Sequence, residues 1–308
     1  DEVIFTYGDE NPENKSLLTI NGASRFIIRG IQFKNNSIQY NKMISFKGRG
    51  KNFEFNSNHF EIAQNLTYSD AIYMENAFYL NSKYKYNQFQ NGRYGTYLRT
   101  GYYLPESKSV EMSYNTFDGT DYPVNLYNID QNIFYKNTFT NFYIGIQADQ
   151  TEGLFNIMNN TFNSDRNSSS GTRALHLGRL NANSEDDRLY VQTNVININN
   201  TGIYTSYAAV IDQCNGASIS NNNFIMTQSS VLNTSAPLYF TGSASDVRFF
   251  NNIVAGFDKS RAIDFNTYSD NYFSQISNNC YYSEATVFSK YNNVIYRSFD
   301  RFKEAYPD

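Results

Sequence analysis

An asparagine that recurs once per structural repeat constrains this chain more than any other feature. Asn58, Asn87, Asn115, Asn137, Asn160, Asn194, Asn222, Asn252 and Asn279 follow one another at intervals of 22 to 34 residues. Each has an apolar residue three positions before it, from Phe55 and Tyr84 through Met112 to Ile276. Each also has one two positions after it: Phe60, Phe89, Phe117, Phe139, Phe162, Ile196, Phe224, Val254 and Tyr281. A first copy around Ile28 and Phe33 carries Ile31 where the others carry Asn. Between copies lies a second phrase, apolar–any–apolar, as in Ile44/Phe46, Ile72/Met74, Thr96/Leu98, Val124/Leu126, Ile146/Ala148, Leu175/Leu177, Ala209/Ile211, Leu238/Phe240 and Ile263/Phe265. Alternation over runs this short predicts strands with one buried face. Short strands repeating without helical periodicity between them predict an all-β solenoid of about ten coils. A propeller blade needs roughly 40–50 residues, more than one repeat supplies.

The recurrent Asn has a physical reading. Asn tolerates the left-handed region, so it is expected to turn the chain at one place per coil. Stacked amides also ladder along an axis, and the apolar residue two positions on enters the interior and stacks on its neighbours. The composition agrees, because 27 Tyr and 25 Phe supply bulk without any Trp, and only 18 % of residues are charged. Other classes fall away. No apolar run approaches the 18 or so residues of a membrane-spanning helix. A net charge of −4 does not fit nucleic-acid binding. Two cysteines make neither a disulfide framework nor a zinc cluster, and Cys214 and Cys280 fall about three coils apart, too far for a bridge.

The repeat resembles the right-handed parallel β-helix of the pectin-lyase-like superfamily over residues 17–285, and the Asn, Tyr and Ser usage resembles that of bacterial surface proteins. The resemblance implies a secreted or cell-surface location. It implies no single activity, because the group contains lyases, hydrolases, tailspikes and non-catalytic adhesins. One domain over 1–308 is expected, as part of a longer protein, since Val3–Tyr7 reads as a strand of a coil already under way. Two turn-rich runs make 163–188 a protruding loop region. Lys47 to Lys51 reads as a polar turn between coils, and His59 as an exposed turn residue. Phe299, Phe302 and Tyr306 sit at helical spacing and suggest a short capping helix.

If the apolar pairs of the second phrase point inward, the residues between and after them form outward ladders about 4.8 Å per step. The first reads Ser45, Tyr73, Tyr97, Asn125, Gln147, His176, Val210, Tyr239, Asp264, and the second Lys47, Glu75, Arg99, Tyr127, Asp149, Gly178, Asp212, Thr241, Asn266. Tyr73, Glu75, Tyr97, Arg99, Asn125, Tyr127, Gln147, Asp149 and His176 therefore make a candidate ligand strip. Aromatic rings cover the apolar faces of pyranoses, while amides, carboxylates and guanidinium groups bind hydroxyls and uronates. An ordinary Tyr-rich sheet face has the same look. Arg99, Asp149, His176 and Asp212 are the candidates for catalysis: a uronate lyase needs a base and a carboxylate-neutralising group, and an inverting hydrolase needs two carboxyls about 6.5–9.5 Å apart. They form no local motif. No metal site or cofactor is indicated by a motif, although Glu75 and Asp149 suit Ca²⁺. The leading reading is a carbohydrate-binding or adhesive module, or rigid scaffold, whose partner is a polysaccharide or cell-surface glycan. A polysaccharide lyase or hydrolase on the same flank is the alternative, and docking to other surface-complex proteins is a third.

Overall fold

The computed structural model describes residues 3–7, 16–36, 42–64, 69–75, 78–100, 109–151, 153–166, 171–180, 188–229, 235–267, 272–291 and 294–305. Strands come in repeating triplets, such as Asp70–Glu75, Phe78–Lys85 and Gln88–Gln90. The first member of each triplet carries the apolar–any–apolar phrase and joins a twelve-stranded flank sheet. The second joins a ten-stranded back sheet. The third begins just after the recurrent Asn and joins an eleven-stranded stack sheet. Successive triplets lie in parallel register, so one triplet is one coil of a parallel β-solenoid.

The interior follows from the sequence period. Phe33, Phe60, Phe89, Phe117, Phe139 and Phe162 occupy one register position and stack with centroids 4.5–5.0 Å apart and ring planes within 3–6° of parallel. Each is fully buried, worth about 1.5–3 kcal/mol. The flank strands come so close to this stack that two of them carry glycine. A Cβ on Gly95 would lie 2.9 Å from the Phe117 ring, and one on Gly145 would lie 3.1 Å from the Phe162 ring.

The asparagines form the expected ladder. From Asn58 to Asn252, each backbone N–H and each Nδ2 donates to the Oδ1 of the Asn in the next coil, at 2.9–3.1 Å. Each Nδ2 also donates to a back-sheet carbonyl of the preceding coil, as Asn137 does to Met112 at 2.8 Å. Every polar atom of these buried amides is thereby satisfied. Ile31, which lacks the amide, starts the ladder by donating its N–H to Asn58 Oδ1 at 3.1 Å.

The expected conformation of the Asn is displaced by one residue. The left-handed position belongs to the residue just before it: Gly30, Ser57, Tyr86, Tyr114, Lys136, Asn159, Thr193, Asn221, Asn251 and Asn278, with φ between 53° and 67°. The ladder asparagine itself must be extended so that its N–H can follow its side chain to the next coil. The left-handed region costs a non-glycine residue roughly 1–2 kcal/mol, which the ladder offsets. The other corners turn the same way, at Asn128, Gln150, Arg179 and Gln213 after flank strands and at Asn91 and Asn141 after stack strands.

Other expectations are corrected. His59 is no turn residue: it starts the stack-sheet strand His59–Ile62 and is half-buried, because the strand begins directly after Asn58. Lys47 to Lys51 does not join coils. Gly48, at φ 71°, turns the chain within a coil, and Arg49–Asn56 is already back-sheet strand. The range 163–188 is not one loop, since flank strand Arg173–Gly178 crosses its middle with Leu175 and Leu177 in the core. Residues 167–170 and 181–187 lie outside the described residues. Val3–Tyr7 pairs in parallel with Ile31–Asn35, extending the stack sheet. Cys214 and Cys280 are both free thiols. At the other end, Ser289–Tyr291 pairs antiparallel with Val294–Tyr296, and helix Phe299–Ala305 follows. Phe302 stacks on Phe265 at 5.6 Å and Phe299 packs on Phe288 at 5.5 Å, so the helix caps the last coil as expected. Tyr306 lies outside the described residues.

The ladder is testable by substitution. Asn137→Ala strands the Asn115 backbone N–H and Nδ2 and the Met112 carbonyl, and removes one of the two donors to Asn160 Oδ1. With roughly 1–3 kcal/mol for each unsatisfied buried group, urea unfolding should show a loss of at least about 3 kcal/mol. Asn137→Asp should rescue little, because a carboxylate cannot donate to Met112.

Candidate functional site

Both outward ladders of the flank sheet exist in the expected register. Ser45, Tyr73, Tyr97, Asn125, Gln147, His176, Val210, Tyr239 and Asp264 pair coil to coil, and so do Arg99, Tyr127, Asp149, Gly178 and Asp212. Their rings are engaged with one another. Tyr73 and Tyr97 stack at 4.9 Å and 8°, Lys42 Nζ sits 3.3 Å over the Tyr73 ring, and the Arg99 guanidinium lies 4.6 Å over Tyr127. The Tyr73 hydroxyl donates to Glu75. This row offers solvent its ring edges and hydroxyls more than its faces. Asn125 Nδ2 donates to Gln147 Oε1 at 3.1 Å, which holds both amides upright on the flank.

The remaining candidates occupy distinct environments. Arg179 Nε donates to Asp149 Oδ1 at 2.8 Å and its Nη2 bonds the other carboxylate oxygen, a two-point clamp. Asp212 lies two coils from Asp149, across Gly178, and burial, followed by the Asp149 charge, raises its pKa. Burial, followed by the Arg173 charge, pushes His176 down to about 4. Its Nδ1 lies 3.3 Å from Arg173 Nη1, a contact that suits a neutral ring accepting from the guanidinium. Arg99, Asp149 and Asp212 thus sit on alternate coils, with His176 one ladder over.

A third outward ladder was not anticipated. Three residues before the first ladder, Lys42, Asp70, Tyr94 and Tyr122 stand in register on successive flank strands, followed by the buried Ile144 and then Arg173 and Tyr207. Tyr94 packs on Tyr97 at 4.9 Å and on Tyr122 at 5.2 Å, which widens the tyrosine row to two ladders. Asp70 is buried at the edge of this row with no hydrogen bond to Oδ1. Burial pushes its pKa up to about 7, against the pull of Arg93, Lys42 and the Tyr94 backbone N–H.

The row ends at a cleft. Where the stack sheet turns into the flank sheet, Gln64, Gln90, Asn91, Asp118, Asp121, Asn141, Tyr143 and Arg166 line a space of about 490 Å³, within the usual small-ligand range of roughly 300–1,000 Å³. Its side chains are held in place. Arg166 Nη1 donates to Asp121 Oδ1 at 2.6 Å, to the Asn141 carbonyl at 3.1 Å and to the Gly119 carbonyl at 3.2 Å, with the guanidinium 4.6 Å over Tyr143. Asp118 Oδ1 accepts from Thr140 Oγ1 at 2.7 Å and from Asn141 Nδ2 at 3.1 Å. Asn91 Nδ2 donates to the Ile62 carbonyl at 3.0 Å. A Cβ on Gly119 would lie 2.7 Å from Asn91 Oδ1, so glycine keeps that amide in place. Burial raises Asp121 despite Arg166. Arg93 joins cleft and row: it follows Gly92 of the cleft and lies 4.8 Å over the Tyr94 ring. Arg166 comes from the first turn-rich run noted in the sequence. The other lining residues carry no motif, because they come from successive coils and meet only when the coils stack.

Among the described residues, no group of three or more His, Cys, Asp or Glu side chains gathers as a metal site would require, and no helix is long and apolar enough to cross a membrane.

No protein-family model and no curated protein matches the chain. Among solved structures, bacteriophage CBA120 tailspike protein 3 is 11% identical, with a TM-score of 0.34 over 95% of this chain and 51% of that one. The Dettilon tailspike protein is 10% identical, with a TM-score of 0.23 over 87% of this chain and 61% of that one. The chain therefore spans about half the length of the first and three fifths of the second.

Two titrations test these environments. An acid raised in the folded state binds more protons there than in the unfolded chain, so it lowers stability as pH rises from its unfolded to its folded pKa. Asp70 should thus cost stability progressively between about pH 4 and 7. Asp70→Asn should flatten that part of the Tm–pH curve and raise stability at pH 8 by about 1–3 kcal/mol. Of the two histidine C2–H resonances, the one removed by His176→Gln should not titrate between pH 5 and 8.

Proposed function

We propose that this protein is an extracellular carbohydrate-binding or adhesive module, secreted or carried on a cell surface, and that it holds a polysaccharide along the flank sheet and in the adjoining cleft. The observation that carries the reading is the polar cleft opening onto the Tyr94–Tyr122 edge. Amides of Gln64, Gln90, Asn91 and Asn141 and the carboxylates of Asp118 and Asp121 match the donor and acceptor pattern of sugar hydroxyls. Because Asn91, Asp118, Asp121 and Asn141 are already fixed by the Ile62 carbonyl, Thr140, Arg166 and one another, little ordering of these four is needed on binding. The tyrosine row adds hydroxyls and ring edges at one coil spacing, so a chain lying along the solenoid meets repeating partners. Membership of the pectin-lyase-like superfamily and a right-handed coil belong to the same proposal; the parallel solenoid with its polar flank supports them.

A hydrolase or lyase on the same surface is the second reading, and one observation favours it. Two carboxyls in unequal environments face one cleft: Asp121 is raised by burial, while Asp118 is exposed and doubly hydrogen-bonded. Unequal carboxyls are the usual basis for dividing acid and base roles. Of the earlier catalytic candidates, Asp149 is clamped by Arg179 and His176 is a weak base, which suits positioning of a ligand better than proton transfer.

Glycan-array screening of the purified protein, with absorbance at 235 nm and reducing ends followed for every hit, separates the readings. Binding without turnover is expected, weakened at least tenfold in a Tyr94→Ala/Tyr143→Ala variant that retains its Tm. New unsaturated or reducing ends, abolished by Asp121→Asn, would establish the enzyme instead. No binding to any glycan would leave a scaffold.

A further inference from the structure

At the corner between back sheet and stack sheet, on the far side of the ladder asparagines from the core, the fold demands a left-handed residue in every coil. Gly30, Asn159, Asn221, Asn251 and Asn278 meet that demand with residues suited to it. Two adjacent coils use tyrosine instead, Tyr86 at φ 57° and Tyr114 at φ 58°. Burial does not compensate for the choice, because Tyr86 is 55% and Tyr114 41% exposed. Ser57, Lys136 and Thr193 hold the same left-handed backbone, so the strain belongs to the corner; what sets this pair apart is that two large aromatic rings stand exposed side by side.

The two rings stack on one another at 5.0 Å and 16°. On the far side of Tyr114, the Tyr135 ring stands edge-on at 5.7 Å and Lys136 Nζ lies 5.6 Å from the Tyr114 centroid, so that end is closed. The other end is open. The next residue in the column is Ser57, whose hydroxyl turns aside to donate to Asn56 Oδ1 at 2.8 Å. Beyond it comes Gly30, where an added Cβ would meet nothing within 4 Å. The aromatic stack therefore ends at Tyr86, and the coil of Ser57 beside it leaves a step of about 4.8 Å, the spacing of one further stacked ring, against the outer face of Tyr86. The back-sheet surface beside this step carries Arg29, next to Asn56, and one coil on Lys83 and Lys85, which share the single carboxylate of Glu111 at 3.5 and 2.9 Å; with Glu54 the patch holds three cations against two carboxylates on a chain whose net charge is −4.

We propose that the Tyr86 step is a second glycan subsite, separate from the flank and its cleft, in which one anionic pyranose stacks on Tyr86 with its carboxylate or sulfate turned toward the surrounding cations. A sugar presents an apolar ring face for Tyr86 and a polar rim for Ser57, Asn56 and Arg29. A peptide side chain would need a walled pocket, and the step has none. Two glycan sites on different corners of one rod would let the protein bridge two chains, or two stretches of one.

The test uses the whole protein with a galacturonate hexamer and, as the neutral probe, a cellohexaose, followed by saturation-transfer NMR and calorimetry. Tyr86→Asn is the informative substitution, since Asn accepts the left-handed backbone and should leave the Tm unchanged or raised. The expected result is binding of the anionic hexamer that weakens at least tenfold in Tyr86→Asn, survives Tyr94→Ala/Tyr143→Ala, and falls as salt rises. Equal affinity for cellohexaose would overturn the anionic assignment. Unchanged affinity in Tyr86→Asn, absence of binding to either hexamer, or Tyr86-dependent capture of peptides from a peptide array in place of sugars would overturn the site.

Discussion

The structure depends on a hydrogen-bond constraint that has only one solution per coil. An amide buried beside the core must satisfy two acceptor sites and two donors: its Oδ1 accepts from the N–H and Nδ2 of the same Asn one coil back, and its Nδ2 donates to the amide one coil on and to a back-sheet carbonyl one coil back. Asn58 through Asn279 meet that requirement at a fixed height, so the coils cannot slip past one another without stranding several buried groups at once. The Phe stack beside the ladder is tolerant of rotation and gives burial without register. The ladder supplies the register, and everything on the outside inherits it. Once Asn87 sits over Asn115, Tyr97 must sit beside Asn125 and Arg99 beside Tyr127.

Much of this was legible because the period that builds the core also writes itself into the sequence. Alternation placed the flank strands and their two outward ladders, and the recurrent Asn marked the corner. What local chemistry could not show was which residue of the corner takes the left-handed turn. Asn has the better intrinsic preference, yet the turn falls on Ser57, Tyr86 and Thr193, because the amide ladder claims the Asn for an extended backbone. Lys47 to Lys51 and His59 were misplaced for a related reason. A solenoid turns on single residues, so polar or Gly-rich runs that read as loops are already strand.

The candidate site was half legible. Its missing ladder lay two residues before each apolar phrase, at Asp70, Tyr94, Tyr122 and Arg173, where strict alternation would point the side chains inward. The signal was masked by the intervening positions, Ala71, Gly95, Pro123 and Ala174, which look like turn residues. They are small or ring-closed because the flank strand bends there against the Phe stack, as the contacts at Gly95 and Gly145 show. The cleft was not legible at all. Asn91, Asp118, Asn141 and Arg166 come from successive coils, and a site assembled across coils leaves no spacing to read within any one of them.

A rod whose flank repeats every 4.8 Å or so is suited to a ligand that also repeats, and a fixed polar cleft at one corner gives such a ligand a defined anchoring point. The most direct test is a crystal structure of the protein with the tightest-binding oligosaccharide from the array. The account predicts sugar rings in the Asp118–Asp121–Arg166 cleft, with the chain continuing along the Tyr94–Tyr122 edge and no bond broken. An oligosaccharide bound only to surfaces away from the flank sheet and its cleft, or recovered as cleaved product there, would contradict it.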